Sequence, residues 1–347
     1  MLGNCKVTAN QVTVARILLL PVPVYLLIFG STSSVWLAFF WILLLGATDF
    51  VDGLMARREG PTRLGGLLDP VADKIFVAAL VLTLAGTQKI PSWIPVAILS
   101  REFTLTVLRS SVALRDKSIE TSWLGKWKTI IQMGGLGTVF LTFALSLPQA
   151  LLASFLLFFS LFVLWVFWKI KYPGPAPHWI LPVSLCFLYW FSLLYFFQIQ
   201  TVVLWILTVI VAITWISALD YLSGSYRVFM QGGLHSYDVR RLAWALAYTF
   251  CVVPVACSHP MAVLPLWVVL SFELALGGVD NVVVAEKKYA MEWPFRVSML
   301  AALLFGLVAY DVDHKMVLFV GLALVSFLNF SFTYYRWRSL FARVLLG

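Results

Sequence analysis

The stretch DFVDGLMAR at residues 49–57, followed by GGLLDPVAD at residues 65–73, carries four aspartates between long apolar runs. Ionised carboxylates are unfavourable near hydrocarbon, and four of them at close quarters would also repel one another. Bound divalent cations would relieve both effects. The stretch therefore predicts a metal site at the edge of a membrane, between two helices that enter the bilayer.

The composition supports a membrane protein. Of 347 residues, 61% are hydrophobic and 12% are charged, and the mean hydropathy is +0.92. Soluble domains contain about 25% charged residues, so this chain falls outside that class. The net charge of +9 could suggest a nucleic-acid partner, but the basic residues form short clusters between apolar segments. There they would set the orientation and contact anionic membrane lipids, and we expect no nucleic-acid partner.

Apolar stretches of about 17 to 22 residues predict an all-α, polytopic transmembrane helical bundle of about 12 spans. The predicted spans lie near residues 12–30, 34–51, 70–87, 92–113, 129–146, 149–168, 178–197, 201–221, 242–257, 261–279, 297–311 and 315–334. If the N-terminus is cytoplasmic, the outer loops contain Lys89 and Lys315, while the other basic loop residues fall on the inside. This asymmetry predicts that the aspartates also face the cytoplasm.

Helical spacing places the aspartates on two faces that can point at each other. One face of the first helix carries Asp49, Asp52, Gly53 and Ala56, which are spaced at i, i+3, i+4 and i+7. Asp69 and Asp73, at i and i+4, share a face of the next helix, and the short basic loop 58–64 joins the two. A solvated rim of ion pairs would explain one aspartate, but not four that alternate with Gly and Ala. Mg²⁺ or Mn²⁺ takes oxygen ligands and shares them with phosphates, so a metal-bridged pyrophosphate would fit here.

The pattern D-x2-D-G-x2-A-R, then G-x3-D-x3-D, resembles the signature of the CDP-alcohol phosphatidyltransferase family, although the segment between Arg57 and Gly65 is one residue shorter. The resemblance implies two divalent metal ions, Mg²⁺ or Mn²⁺, with Asp73 as the catalytic general base. The implied metal ligands are Asp49, Asp52, Asp69 and Asp73. The implied CDP-binding residues are Asn10, Thr13, Asp49, Asp52, Gly53, Ala56, Arg57 and Thr62.

Further segments are similar to the bacterial phosphatidylglycerophosphate synthases of this family: N-x-x-T-x-x-R-I at residues 10–17, R-E with L-R at residues 101–109, and G-K-x-K-T at residues 125–129. This similarity implies CDP-diacylglycerol and glycerol 3-phosphate as substrates. An acceptor that carries a phosphate needs a cationic socket beside the metal site. The candidates for this acceptor-phosphate socket are Arg101, Arg109, Lys126 and Lys128. Two alternatives stay open, because the lysines could instead bind lipid headgroups and Arg101 could form a buried ion pair with Glu102.

The resemblance also implies a homodimer in the inner membrane of a bacterium. Residues 1–222 are predicted to form the transferase-like domain, a six-helix core with an inserted hairpin at 149–198, because Thr214–Leu222 looks like the usual family ending. Alternatively, 149–168 is itself the sixth span. Residues 223–347 form a C-terminal membrane module without a chemical motif, in which Glu273 is an acidic residue inside an apolar span.

Two functional alternatives remain at this point. The first keeps the transferase chemistry but uses another acceptor, such as inositol phosphate, serine or phosphatidylglycerol. The second is a transporter or lipid-handling protein whose transferase half is vestigial. The complete set of four aspartates argues against the second alternative, since a decayed site would not be expected to keep them all at this spacing.

Overall fold

The computed structural model describes residues 8–59, 63–115, 123–171, 180–233, 235–287, 291–309 and 315–346. Within these ranges every regular element is a helix, which confirms the predicted all-α class. The α-helices, in chain order, are α1 (Ala9–Leu19), α2 (Pro21–Phe29), α3 (Thr32–Glu59), α4 (Arg63–Gly86), α5 (Trp93–Ala113), α6 (Trp123–Ala144), α7 (Leu147–Lys171), α8 (Ile180–Phe196), α9 (Ile199–Gly232), α10 (Ser236–Ala247), α11 (Val253–Cys257), α12 (Val263–Lys287), α13 (Trp293–Ala309) and α14 (Lys315–Leu346). A π-helical turn (Tyr248–Val252) links α10 to α11, and a 3₁₀ turn (Pro260–Ala262) precedes α12.

The first predicted span is divided into two helices. α1 begins with a capping box, in which the Thr8 hydroxyl accepts from the Gln11 backbone N–H and the Gln11 side chain accepts from the Thr8 N–H. The helix ends at Leu19, and Pro21 starts α2. Proline lacks an N–H and its ring crowds the preceding turn, so it interrupts one helix and is well suited to begin the next.

Six helical segments in the described part of the chain are long and apolar enough to cross a membrane. They are Ala9–Phe29, Leu147–Lys171, Ile199–Gln231, Ser236–Cys257, Pro260–Val284 and Lys315–Leu340. Three shorter apolar helices lie at Ser33–Thr48, Ser184–Phe196 and Trp293–Ala309. These segments make the chain an integral membrane protein. Each of the twelve predicted spans overlaps a helix, and their number as membrane crossings stays a prediction.

The chain forms two compact units. The first comprises 1–131 and 211–347, and its central helix is α4, where nearly every residue from Val71 to Ala85 is buried. α1, α5, α11 and α12 pack around α4, while α3 packs on α1 and α2. The unit that contains the aspartates therefore also contains the C-terminal helices. The domain boundary at 222 stays a prediction.

The second unit comprises residues 132–210, and it contains the predicted hairpin 149–198. Its core consists of Ala150, Trp190, Leu194 and Val202, where α7 and α8 pack together. Large apolar side chains on the outside of α7 are exposed, among them Leu156, Phe159 and Phe167. Such a surface is unfavourable in water and suits contact with lipid chains.

Candidate active site

Three helices, α1, α3 and α4, meet around the side chain of Thr13. Its hydroxyl oxygen lies 3.1 Å from Asp52 Oδ2 of α3 and 3.3 Å from Asp69 Oδ1 of α4, and it is also 3.2 Å from the Ala9 carbonyl oxygen. A hydroxyl has one proton to donate, so these acceptors must share it. The structure thus brings carboxylates from both helices of the predicted site to one threonine.

Arg16 is the cation of this site. It lies two turns of α1 beyond Ala9, its side chain is 4% exposed, and it forms an ion pair with Asp52. Its Nη1 atom lies 3.5 Å from Asp73 Oδ1, on the other helix of the site. A buried guanidinium between carboxylates lowers their mutual repulsion, because the attraction between opposite charges is strong where water is largely excluded.

The aspartates differ in exposure. Asp52 is buried, Asp69 is exposed, and the Asp73 side chain is 45% exposed. The site therefore has a closed end at Asp52 and an open side at the α4 carboxylates. A water-soluble substrate could reach Asp69 and Asp73 without displacing a helix.

Lys74 extends the site towards α5. Its ammonium donates to Thr106 Oγ1 at 2.6 Å, and the Thr106 hydroxyl donates in turn to the Glu102 carbonyl oxygen at 2.8 Å. A positive group therefore lies next to Asp73 in sequence and is held by a neighbouring helix. Arg16 contacts the acidic cluster directly, whereas Lys74 follows Asp73 in sequence and contacts Thr106.

Sequence reasoning did not assign a role in the site to Arg16 or Lys74. The signal for Arg16 was present, because N-x-x-T-x-x-R spaces Asn10, Thr13 and Arg16 at i, i+3 and i+6 of one helix. Lys74 directly follows the last aspartate. This position by itself indicated only a solvated rim of ion pairs. Asn10 lies on α1 and is half-buried.

Several predicted site residues have side chains outside the described part of the structure. Asp49, Gly53, Ala56 and Arg57 lie on the described backbone of α3, and Lys126 and Lys128 on that of α6, but the structure describes none of these side chains. Thr62 lies in the segment between α3 and α4, outside the described residues. The roles assigned to these residues stay predictions.

Arg101 is committed to the packing of α5 against α9. Its guanidinium donates to Glu102 Oε1 at 3.0 Å, to the Thr214 carbonyl oxygen at 3.2 Å and to Ser217 Oγ at 2.9 Å. The side chain is 9% exposed. This geometry agrees with the alternative of a buried ion pair, and it leaves little of Arg101 for an acceptor phosphate.

Arg109, two turns further along α5, is exposed. Its guanidinium carbon lies 5.6 Å from the centre of the Tyr221 ring, which is a cation–π distance. Tyr221 is buried and supports one side of the guanidinium, while the exposed part of Arg109 is open to an incoming anion. Arg109 therefore fits the predicted socket better than Arg101.

The donor chemistry at α3 and α4 is compatible with a hard divalent cation. Carboxylate oxygens are the ligands that Mg²⁺ and Mn²⁺ prefer, and Asp52 and Asp69 lie close enough to share one hydroxyl group. Among the described side chains, no group of three or more acidic, histidine or cysteine residues is placed to hold a metal. The Asp49 side chain, the predicted fourth ligand, lies outside that set.

Fold and site together define a class, the polytopic helical membrane proteins with a cluster of carboxylates between neighbouring helices. The model of the CDP-alcohol phosphatidyltransferase family matches residues 6–166. A CDP-diacylglycerol–glycerol-3-phosphate 3-phosphatidyltransferase from Haemophilus influenzae is 41% identical over 130 residues, which are 36% of this chain and 70% of that protein. The chain belongs to the CDP-alcohol phosphatidyltransferase family.

Two further relatives have related names. A protein of Rickettsia typhi with the same name as the Haemophilus protein is 34% identical over 133 residues, 38% of this chain and 75% of that protein. A probable phosphatidylglycerophosphate synthase of Mycobacterium tuberculosis is 37% identical over 133 residues, which are 37% of this chain. The match spans 63% of the length of the Mycobacterium relative. No solved structure matches the chain significantly.

Proposed function

We propose that this protein transfers a phosphatidyl group from CDP-diacylglycerol to glycerol 3-phosphate, which yields phosphatidylglycerol phosphate and CMP. The observation that carries the proposal is the convergence of Asp52, Asp69 and Asp73 on Thr13 and Arg16, where α1, α3 and α4 meet. Membership of the CDP-alcohol phosphatidyltransferase family and the names of the bacterial relatives support it.

The two divalent ions would be held by four carboxylates, which belong to Asp49, Asp52, Asp69 and Asp73. When bound, Mg²⁺ or Mn²⁺ would neutralise charge that gathers on the pyrophosphate oxygens during displacement at phosphorus. Thr13 and Arg16 orient Asp52 from the closed end of the site, so the carboxylate keeps its direction whether or not a substrate is present. Fixed ligands of this kind reduce the reorganisation that the reaction requires.

Asp73 is proposed as the general base. Its side chain lies near Arg16 on one side. Because the side chain is also partly exposed, an acceptor hydroxyl can approach it from the open side. The carboxylate takes the proton of the glycerol 3-phosphate hydroxyl, and the acceptor oxygen forms a bond to the β-phosphorus. The bond from that phosphorus to the bridging oxygen breaks, and CMP leaves with the electron pair.

Arg109, Lys126 and Lys128 are proposed to bind the phosphate of the acceptor. The support for Arg109 is its exposed position on α5, one turn beyond Thr106, which accepts a hydrogen bond from Lys74 of α4. For the two lysines the support is family resemblance. Arg101 is not part of this proposal because its donors already serve Glu102, Thr214 and Ser217.

The remaining proposals concern the setting of the enzyme. The basic inner loops support a cytoplasmic N-terminus and active site in a bacterial inner membrane. Family resemblance supports a homodimer. In that setting, CDP-diacylglycerol would enter from the lipid and glycerol 3-phosphate from the cytoplasm.

An acceptor panel tests the proposed function. Purified protein in detergent receives labelled CDP-diacylglycerol with glycerol 3-phosphate, inositol phosphate, serine or phosphatidylglycerol, and both CMP and the lipid product are measured. We expect CMP release with glycerol 3-phosphate, loss of release with EDTA, and recovery with Mg²⁺ or Mn²⁺. Preference for another acceptor would overturn the substrate assignment. Absence of CMP release with every acceptor would overturn the transferase function and favour a lipid-handling role.

A further inference from the structure

α12, in the C-terminal part of the chain, approaches α5 without an intervening side chain at Gly277. A Cβ atom at this position would lie 3.1 Å from Thr106 Cγ2 and 3.7 Å from Trp244 Cη2. The first distance is shorter than an ordinary van der Waals contact. The hydrogen of Gly277 therefore allows α12 to lie directly against the methyl group of Thr106.

The hydroxyl group of Thr106 contacts Lys74, the residue that follows Asp73. It accepts from Lys74 Nζ at 2.6 Å, and its proton goes to the Glu102 carbonyl oxygen at 2.8 Å. Thr106 thus has its methyl group on α12 and its hydroxyl on the lysine that follows Asp73. A displacement of α12 at Gly277 would move Thr106 and, through it, the Lys74 ammonium.

One turn further on, buried polar groups fix α12 against α5. Ser110, four residues after Thr106, donates to Asp280 Oδ2 at 2.9 Å and also contacts Asn281. Asp280 in turn forms an ion pair with Arg241 of α10, and each side chain of this pair is at most 2% exposed. Removal of one partner of a buried ion pair strongly destabilises the folded protein. The contacts of Ser110 with Asp280 and of Asp280 with Arg241 therefore fix the position of α12 along α5.

We propose that α12 is a positioning element of the active site, in which Gly277 and Thr106 hold Lys74 beside Asp73 for the negatively charged acceptor. The inference rests on the proposed function. The family match ends at residue 166, so α12 lies outside the matched part of the chain. The C-terminal helices are then a working part of the acceptor site, although they contain no catalytic motif of their own.

Kinetic variants test this inference, with glycine substitutions elsewhere in the C-terminal helices as matched controls. Gly306→Ala also crowds a neighbour, because its Cβ would lie 2.8 Å from Cys251 Cβ, but Cys251 belongs to the π-helical turn and not to α5. Gly321→Ala adds a Cβ with nothing within 4 Å. Thr106→Val removes the hydroxyl at nearly constant shape, and Thr106→Ser keeps it.

The measurements are kcat, the KM for each substrate, and the thermal unfolding temperature. We expect Gly277→Ala and Thr106→Val to raise the KM for glycerol 3-phosphate roughly three- to tenfold, because small misplacements of binding groups are costly to catalysis. The KM for CDP-diacylglycerol should change little. Gly321→Ala should resemble the unchanged protein, and Gly306→Ala should lower the unfolding temperature without a shift in the acceptor KM. Thr106→Ser keeps the hydroxyl but loses the methyl group that lies against α12, so it should raise the acceptor KM, though less than Thr106→Val does.

The outcomes separate the two proposals. An active protein in which Gly277→Ala and Thr106→Val leave the acceptor KM unchanged, or change it no more than Gly306→Ala does, overturns the positioning role alone. If Gly277→Ala does not fold, the two Thr106 variants decide the matter: Thr106→Ser tests the methyl contact with α12, and Thr106→Val tests the hydroxyl contact with Lys74. An unchanged acceptor KM in Thr106→Ser then overturns the role of α12. An unmodified protein that releases no CMP overturns the proposed function, and with it this inference.

Discussion

The aspartate site and the surroundings of Glu273 lie in the same compact unit, but their carboxylates differ in burial and in the number of hydrogen-bond donors. Glu273 is 1% exposed and accepts four hydrogen bonds, from Trp244 Nε1 at 2.7 Å, Ser326 Oγ at 2.8 Å, Tyr248 OH at 2.9 Å and Ser298 Oγ at 3.1 Å. We call these five residues the Glu273 network. Its donors come from α10, the π-helical turn, α13 and α14, and they converge on α12.

In the aspartate site, by contrast, carboxylates share their donors. Thr13 serves both Asp52 and Asp69, and Arg16 lies near both Asp52 and Asp73. The α4 carboxylates are also partly open to solvent. The difference indicates that a single carboxylate with a full set of buried donors joins helices, whereas several carboxylates with shared donors and open sides can accept a ligand.

The largest expected effect separates the two regions by activity. Asp73→Asn keeps the size of the side chain but removes the proposed base, so CMP release should fall by about 10²- to 10⁴-fold. The unfolding temperature in detergent should remain close to that of the unmodified protein, because Asp73 is partly exposed. Turnover that survives the substitution would refute the base assignment and weaken the contrast with Glu273.

The next effect separates the regions by stability. Glu273→Gln replaces one carboxylate oxygen by an amide N–H₂. Either this group faces the Trp244 indole N–H, which can only donate, and that hydrogen bond is lost, or it faces the three hydroxyl groups, which must then turn from donors into acceptors. We expect a loss of about 1–3 kcal/mol in the free energy of unfolding. For the fraction that remains folded, kcat should be nearly unchanged. A loss of turnover at unchanged stability would instead make Glu273 a functional residue.

The smallest effect tests whether the Glu273 network is a cooperative unit. Ser326→Ala removes one of its donors and should cost about 0.5–1.5 kcal/mol of stability. Ser192→Ala is the matched control, because Ser192 is only partly buried and its hydroxyl donates to the Leu188 carbonyl oxygen of its own helix. That variant should stay within about 0.5 kcal/mol of the unmodified protein. Equal stability of the two variants would show that the network contributes little.

The helices of the site and the shared faces of its acids were predictable because both follow from local spacing. Asp69 and Asp73 lie four residues apart, and one turn of helix brings any such pair to one face. Long apolar runs likewise indicate helices without knowledge of their partners. The break at Leu20 was missed, since hydropathy does not register that Pro21 interrupts a helix.

Partners that are distant in sequence were not predictable in this way. Arg101 donates to Thr214 and Ser217, which are more than a hundred residues away in sequence. Because local spacing does not reveal such partners, the sequence offered Arg101 as a candidate for the acceptor-phosphate socket. The position of Arg16 between two helices also depends on how α1 packs. No local period encodes either contact.

The sequence by itself determined that this is an all-helical membrane protein with four aspartates at the spacing of the CDP-alcohol phosphatidyltransferases. The physical reason is that hydropathy and helical period act over a few turns of chain. Only the tertiary structure decided that Arg16 is the counter-ion of Asp52, that Arg101 belongs to the packing, and that α12 lies against Thr106. Those outcomes depend on side chains that meet through the packing of distant helices, where shape and buried charge select the partner.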